Sequence, residues 1–487
     1  MNVLWTWLIL AAAAWARAGG GQGFSGGNRG GGSSGGGFSG GGFSGRSSSG
    51  GGDDDDALFG LVLWLLLEHP VIGVPLLIAV AAVVIAAQRA GGAARRSHTV
   101  VHGHALASRP RFDALVARDP TFSEVLFLDL ARLVVVRAHE DRGRGALDSL
   151  EAYLSPAVRA AMAQRPQPTK DVILGSARVS GFEIQGDVAR LVVDCELNVT
   201  EGANKRLFLE RWRFVRRADA RTPGPDAMRA LRCPSCGSAE EQLKDGRCRS
   251  CDAVRVDGRI QWFVDRVGLV SAKDVPRVEL ALGGGVEVGT DLPTLRQPDL
   301  RDRFKALRAR DPSFDLDAFQ RRAADVFLRV QQAWTDRKPE DARPYETDFL
   351  FQQHRYWIDR YNAEGIRNRL TDVQITRVEV ARVLSDAWLD SVTVRIYASM
   401  RDWTEDKGGR VVGGSPDDPK VFSEYWTFVR AARAASKASD LDHCPSCGAP
   451  LDRVGAAGVC GYCDTKITTG DFDWVLSTID QDESWRG

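Results

Sequence analysis

Neither sign of charge is in surplus: 64 lysines and arginines meet 64 aspartates and glutamates across 487 residues. That balance removes any global electrostatic reason to expect a nucleic-acid partner. Catalytic signatures are also missing. The globular part holds no HExxH, GxSxG, P-loop or GxGxxG, so the usual markers of zinc-protease, serine-hydrolase, NTPase and dinucleotide chemistry are absent. Cysteine is scarce outside one pattern. Of nine, eight fall in four CxxC pairs and Cys195 stands alone. Even-numbered cysteines in a small secreted chain would suggest disulfides, but pairs at ligand spacing in a chain this long read as metal-binding thiolates in a reducing compartment.

What is present begins with a short apolar run, Val3 to Trp15, ending in Ala16-Arg17-Ala18. This is the pattern of a secretory signal peptide over residues 1–18. Residues 19–57 are rich in Gly, Ser and Phe, with FSG recurring at Phe24, Phe38 and Phe43. Such a composition buries too little surface to offset its ordering entropy and predicts a disordered tether. The run over residues 58–88 is nearly free of charge and long enough for a single transmembrane helix. Glu68, His69 and Pro70 interrupt it and are read as sitting at an interface. Arg89, Arg95 and Arg96 follow in the linker 89–107, which places everything after the span in the cytoplasm by the positive-inside rule. His98, His102 and His104 in that linker are read as solvated.

The remainder carries the same landmarks twice. RFDALVARDPTF at Arg111–Phe122 matches RFKALRARDPSF at Arg303–Phe314, and FLERWRFVRR at Phe208–Arg217 matches FSEYWTFVRA at Phe422–Ala431. Each copy then reaches a CPSCG, at Cys233 and Cys444, and afterwards a tryptophan, Trp262 and Trp474. Four landmarks in one order predict an internal duplication. The Asp119-Pro120 and Asp311-Pro312 steps suggest helix starts, with Asp as cap and Pro in the first turn. Helical periodicity follows at Phe319, Ala323, Phe327 and Val330. A second helix is expected over Ala146–Gln164 and Tyr345–Glu364. Three strands are expected in each copy: Val172–Ile184, Val188–Val199 and Arg206–Val215, then Val373–Leu384, Trp388–Met400 and Val421–Val429. Helices followed by a meander imply an α+β class.

Cys233, Cys236, Cys248 and Cys251 form one candidate ligand set, and Cys444, Cys447, Cys460 and Cys463 a second. Two knuckles supplying four thiolates suit tetrahedral zinc, and a closed four-cysteine shell leaves no position for substrate. Two structural zinc ions are therefore expected, in ribbons over 228–272 and 440–480. Gly237 and Gly448 fit the tight turn of each first knuckle. Neither ribbon has the basic and aromatic surface of a nucleic-acid binder, so no nucleic acid is expected.

The DPxF opening, Gln332-Ala333-Trp334 and Glu424-Tyr425-Trp426 resemble the Tim forty-four-like domain, named for a mitochondrial inner-membrane translocase subunit that tethers a chaperone to the import channel. Bacterial relatives carry a signal peptide, a Gly/Ser/Phe-rich segment, one span and then this domain. The resemblance covers residues 108–220 and 301–435. It implies two cone-shaped, curved-sheet α+β domains similar to nuclear transport factor two, each followed by a small ribbon. It also implies tethering at a bacterial inner membrane. Where the second copy has Gln331-Gln332-Ala333-Trp334, the first has Val136-Arg137-Ala138-His139.

The function expected is a non-enzymatic membrane scaffold that recruits a protein partner, in protein transport or envelope assembly. The alternative is a cone pocket binding a lipid or small molecule, with Asp359, Tyr361, Glu379, Tyr397 and Glu424 as its polar candidates. A third reading puts Arg321 and Arg322 on a membrane-facing helix. Cys195 is expected to be a core residue.

Overall fold

A computed structural model describes residues 110–487, apart from 166–167, 234, 239–242, 245–246, 254–257, 275–289, 435–440, 483–484 and 486. The expected signal peptide, tether, transmembrane span and linker lie outside the described residues. Among the described residues no helix is long and apolar enough to cross a membrane.

The first half places helix α1 (Glu124–Arg144) and the short helix α2 (Pro156–Ala163) before strands β1 (Thr169–Gln185), β2 (Val188–Glu201) and β3 (Asn204–Arg217), with β4 (Phe263–Asp274) after the first cysteine set. The second half has α3 (Leu300–Arg310), α4 (Leu316–Asp336) and α5 (Asp348–Glu364), then β5 (Ile366–Ser385), β6 (Leu389–Asp406) and β7 (Val411–Ala431), with β8 (Val475–Gln481) after the second set. Each half builds one four-stranded antiparallel sheet whose strands neighbour one another in chain order. The α+β expectation is met.

The local signals act as their chemistry requires. Ser123 caps α1 by accepting from Leu126 N at 3.2 Å, and Asp315 caps α4 by accepting from Ala318 N at 2.6 Å. Helix α1 ends on Gly145 at φ 66°, where an L side chain would be strained. Two-residue turns at Gly186-Asp187 and Gly202-Ala203 join β1 to β2 and β2 to β3. Along β2 the alternation is strict: Ala189, Leu191, Val193, Cys195, Leu197 and Val199 are buried against α1. Strand β6 is buried on both faces over its first ten residues, which explains why its period-2 signal is blurred.

Three expectations are corrected. Asp119 and Asp311 do not cap the helices, which start four or five residues later. Each folds its carboxylate back in a local turn, accepting from Thr121 N and Ser313 N at 3.1 Å. Helix Ala146–Gln164 breaks into a 3₁₀ turn at Leu147–Leu150 and α2, because Pro156 starts a new helix behind its Ser155 cap. Finally, the ribbons are not appended after their domains. Strand β4 pairs with β3 (Arg213 opposite Arg266), and β8 pairs with β7 (Ile479 opposite Trp426). Each cysteine set is an insertion between the third and fourth strands of its sheet.

Matching caps also set the correspondence of α1 with α4. Both helices have 21 residues, and counting from Ser123 and Asp315 puts His139 level with Gln331 and Arg142 level with Trp334. The sequence pairing of His139 with Trp334 is thus shifted by one turn.

Candidate metal centres

The structure gathers the eight paired cysteines into two groups, Cys233, Cys236, Cys248, Cys251 and Cys444, Cys447, Cys460, Cys463, with the sulfurs of each group within 4.8 Å of one another. All four knuckles are built alike. The first cysteine's carbonyl accepts from the residue four positions on: Gly237, Asp252, Gly448 and Asp464, at 2.7–3.0 Å. All four of those residues are left-handed, at φ 73°, 54°, 75° and 55°. Glycine was legible at two of them. The aspartates were not, although Asp is among the few residues that tolerate this region.

Cross-knuckle sulfur separations are 3.8 Å for Cys233–Cys251, 3.7 Å for Cys236–Cys248, 3.9 Å for Cys444–Cys463 and 4.0 Å for Cys447–Cys460. A tetrahedral ion with metal–sulfur bonds of about 2.3 Å sets its ligands about 3.8 Å apart, so the donor sets fit. Cys233–Cys236 is tighter, at 3.1 Å. The backbone N–H of Cys236 points at the Cys233 sulfur from 2.9 Å, as expected for an outer shell that stabilises thiolates. The Ser238 hydroxyl, 3.1 Å from Cys248, holds that thiol down to about 5. The Thr465 side chain does the same for Cys463, at about 6.

Neither ribbon hangs free. Tyr153 donates its hydroxyl to Arg232 O, and Tyr345 donates to Leu441 O, each at 2.6 Å and each just ahead of a first knuckle. Ser155 N donates to Val264 O and Thr347 N to Leu476 O, both at 2.9 Å, tying the helical layer to the returning strand. In the second half the fully buried Arg343 reaches Ala456 O at 2.8 Å and Glu346 O at 2.7 Å, and also pairs with Asp348.

The matched landmarks converge behind the ribbons. Arg216, from the FVR strand, donates to Asp119 of the DP step at 2.7 Å and lies over the Trp262 ring at 4.5 Å. Arg430 pairs with Asp311 at 2.9 Å and lies over Trp474 at 4.6 Å. Both guanidinium groups are fully buried. Gly258 and Gly470, each four residues before its tryptophan, are left-handed and press on the backbone of Arg216 and Arg430; an added Cβ would meet Val215 O at 3.0 Å or Arg430 Cα at 3.0 Å. The sequence reading missed both glycines, although the repeated GxxxW spacing was available.

The polar candidates do not form one site. Asp359 sits on the exposed face of α5 beside Arg355, and Tyr361 is buried within the core. Glu379 and Tyr397 meet through Thr294, which lies 2.9 Å from the Tyr397 hydroxyl and also bonds Glu379. Glu424 is elsewhere, accepting from Trp426 Nε1 at 3.0 Å and Gln481 at 3.1 Å. Its counterpart Glu210 accepts from Trp212 at 2.8 Å, and faces His139 Nε2 at 3.0 Å. Burial alone would raise Glu210, but the hydrogen bond from the His139 ring and the Arg165 guanidinium outweigh it and hold the carboxyl below its ordinary value. Burial pushes His139 below its ordinary value. Arg142 donates to its Nδ1 at 3.2 Å, which fixes the neutral Nε2–H tautomer.

Arg322 is not available to a membrane surface: it is held inward by Asp473 at 2.9 Å and by Trp474 O at 3.1 Å. Cys195 is fully buried, and burial drives its thiol well above the ordinary range, as suits an inert core residue.

Residues 300–440 match the family model described as Tim44-like domain. No curated protein matches the chain. The Tim44-like span takes in α3, α4, α5 and strands β5 to β7, and stops four residues before Cys444. The second cysteine set and β8 therefore complete a sheet whose other three strands lie in the Tim44-like span.

Proposed function

We propose that this chain is a membrane-anchored scaffold that recruits a protein partner to the bacterial inner membrane, in protein transport or envelope assembly, and is not an enzyme. In this reading residues 58–88 are its single span and the described residues are cytoplasmic. The halves are two copies of one cone-shaped, curved-sheet unit, each stiffened by a structural zinc ion at its four cysteines. The Tim44-like match at 300–440 carries the reading. The closed four-thiol sets, tied into the sheets, favour a structural metal over a catalytic one.

Topology and metal are tested together in the full chain. Native membranes are treated with a membrane-impermeant maleimide from either side after mild zinc chelation, and zinc is measured in the purified, untreated protein. Two zinc ions per chain, labelling only from the cytoplasmic side, and resistance to carbonate extraction are expected. Disulfide-paired cysteines, or release by carbonate, would sink the anchored cytoplasmic scaffold.

A further inference from the structure

The two sheets treat their outer faces, those turned away from the helices, in opposite ways. In the first half this face is a solvated lattice of ion pairs. Arg211 grips Asp194 at 2.7 and 3.0 Å while remaining 56% exposed, and Arg213 grips Asp265 at 2.7 Å. In the second half the position matching Arg211 carries an aromatic ring and the one matching Asp194 carries Arg395. Tyr425 stands where Arg211 stands in the ExW motif, and Tyr397 lies beside it, across from Ser423.

Those rings alternate with guanidinium groups. Arg377 lies 3.9 Å over Tyr397, and Arg395 sits between Tyr397 at 4.6 Å and Tyr425 at 5.3 Å. The chain covers this ladder with its own segment following β8. Trp485 stacks on Tyr425 with ring centroids 4.7 Å apart and planes at 12°, and Arg382 closes over its other side at 4.8 Å. Asp482, three residues earlier in the chain, receives Arg395 Nη2 at 2.7 Å and the Ser423 hydroxyl at 2.6 Å. Trp485 N donates to Gln481 O at 2.9 Å, and Arg382 donates to Gly487 O at 3.1 Å. The interdomain stretch supplies one wall: Leu295 N donates to the Tyr425 hydroxyl at 3.0 Å, and Leu295 O accepts from the Trp485 indole at 3.3 Å.

The outer face of the second sheet thus holds an acidic side chain and an indole from the chain's own segment. A buried arginine and serine read a carboxylate, and a tyrosine–arginine slot reads an indole. Aromatic and cationic groups in a desolvated pocket are the usual anchors of peptide recognition. We propose that the outer face of the second sheet is a binding groove for a partner segment carrying an acidic residue three positions before a tryptophan, and that Asp482 and Trp485 hold it closed in cis. The proposal deepens the scaffold reading by naming the surface and the chemistry of the partner it recruits. A tethered competitor acts at millimolar effective concentration, so the groove of the intact chain binds a free segment weakly, in proportion to its open fraction.

The test uses a fluorescein-labelled peptide with the sequence of residues 479–487 and fluorescence anisotropy. It is titrated against the intact chain, a chain ending at Gln481, and a full-length D482N/W485A variant. Both variants should bind the peptide at least tenfold more tightly than the intact chain does. A peptide carrying the same two substitutions should not bind either. If the shortened chain fails to fold, the full-length variant decides. Equal binding by all three proteins, or none by a folded variant, overturns the groove. The measurement needs no membrane, so the groove could stand while the anchored scaffold fails in fractionation, or fall while it holds.

Discussion

At the residue scale, the most demanding feature is a buried guanidinium between a carboxylate and an indole in each half. Truncating one member of such a pair strands a charge in low dielectric, which costs about 3–5 kcal/mol. Arg430 faces two carboxylates, Asp311 at 2.9 Å and Asp390 at 3.3 Å. Arg430→Leu should therefore destabilise the protein by that amount in chemical denaturation. In the first half, Arg216→Leu combined with Asp119→Leu should cost clearly less than the two single changes added together, the signature of a direct pair.

A second residue-scale prediction concerns acid. Folded Glu210 titrates below its unfolded value, so its contribution is present above about pH 4.5 and is lost as pH falls through the folded value. His139 is also depressed in the fold, so the unfolded chain takes up its proton first and stability declines as pH falls below about 6.5. His139→Gln, which copies Gln331 of the second half, should flatten the upper part of that decline. Thermal melts between pH 7 and 4 read this directly. None of this was legible from sequence. The DP steps, the FVR strands and the tryptophans were all visible as repeated landmarks, but nothing in one dimension says that they meet. The local cap reading of Asp119 and Asp311 failed because a long-range arginine outweighs the cap.

At the element scale, strand alternation and helix caps were readable because each is set by near neighbours. The second half's strands run several residues beyond their expected ends, since β5, β6 and β7 form a long meander, and the outer stretch of β7 lacks clean alternation. The returning strands β4 and β8 were hidden because they lie beyond the cysteine sets and appeared to belong to them. Their placement would make a metal held by the cysteines a clasp on the sheet. Stripping zinc with a chelator should speed amide exchange in Phe263–Asp274 and Val475–Gln481 before it does so in β2 or β6. Gly470→Ala, strained at φ 85° and crowded by Arg430 Cα at 3.0 Å, should loosen β8 even with metal bound. Hydrogen-exchange mass spectrometry resolves both, and equal protection across all eight strands after chelation would refute the clasp.

At the scale of the whole molecule, one compact unit takes in all the described residues. Its halves are joined by side chains that nothing in one dimension marks as partners. Trp388, in the β5–β6 turn, donates its indole N–H to Thr121 O at 3.0 Å, and Arg132 of α1 lies over Phe349 of α5 at 4.5 Å. Gln353 of α5 bonds the Leu174 carbonyl on β1. The halves should therefore melt in one transition, and Trp388→Ala should split it into two, as read by calorimetry. A single transition in that variant would mean that the coupling runs elsewhere.

The insertion of each cysteine set ahead of the last strand also imposes an order on synthesis. The ribosome releases three strands, then the thiols, and only then the strand that finishes the sheet. A metal held by these thiols would thus be captured before closure, twice, within a single translation. A cell short of that metal would make chains with open sheet edges, and those edges are what chaperones and proteases seize. Metal supply would then set how many copies survive, rather than how well each surviving copy works.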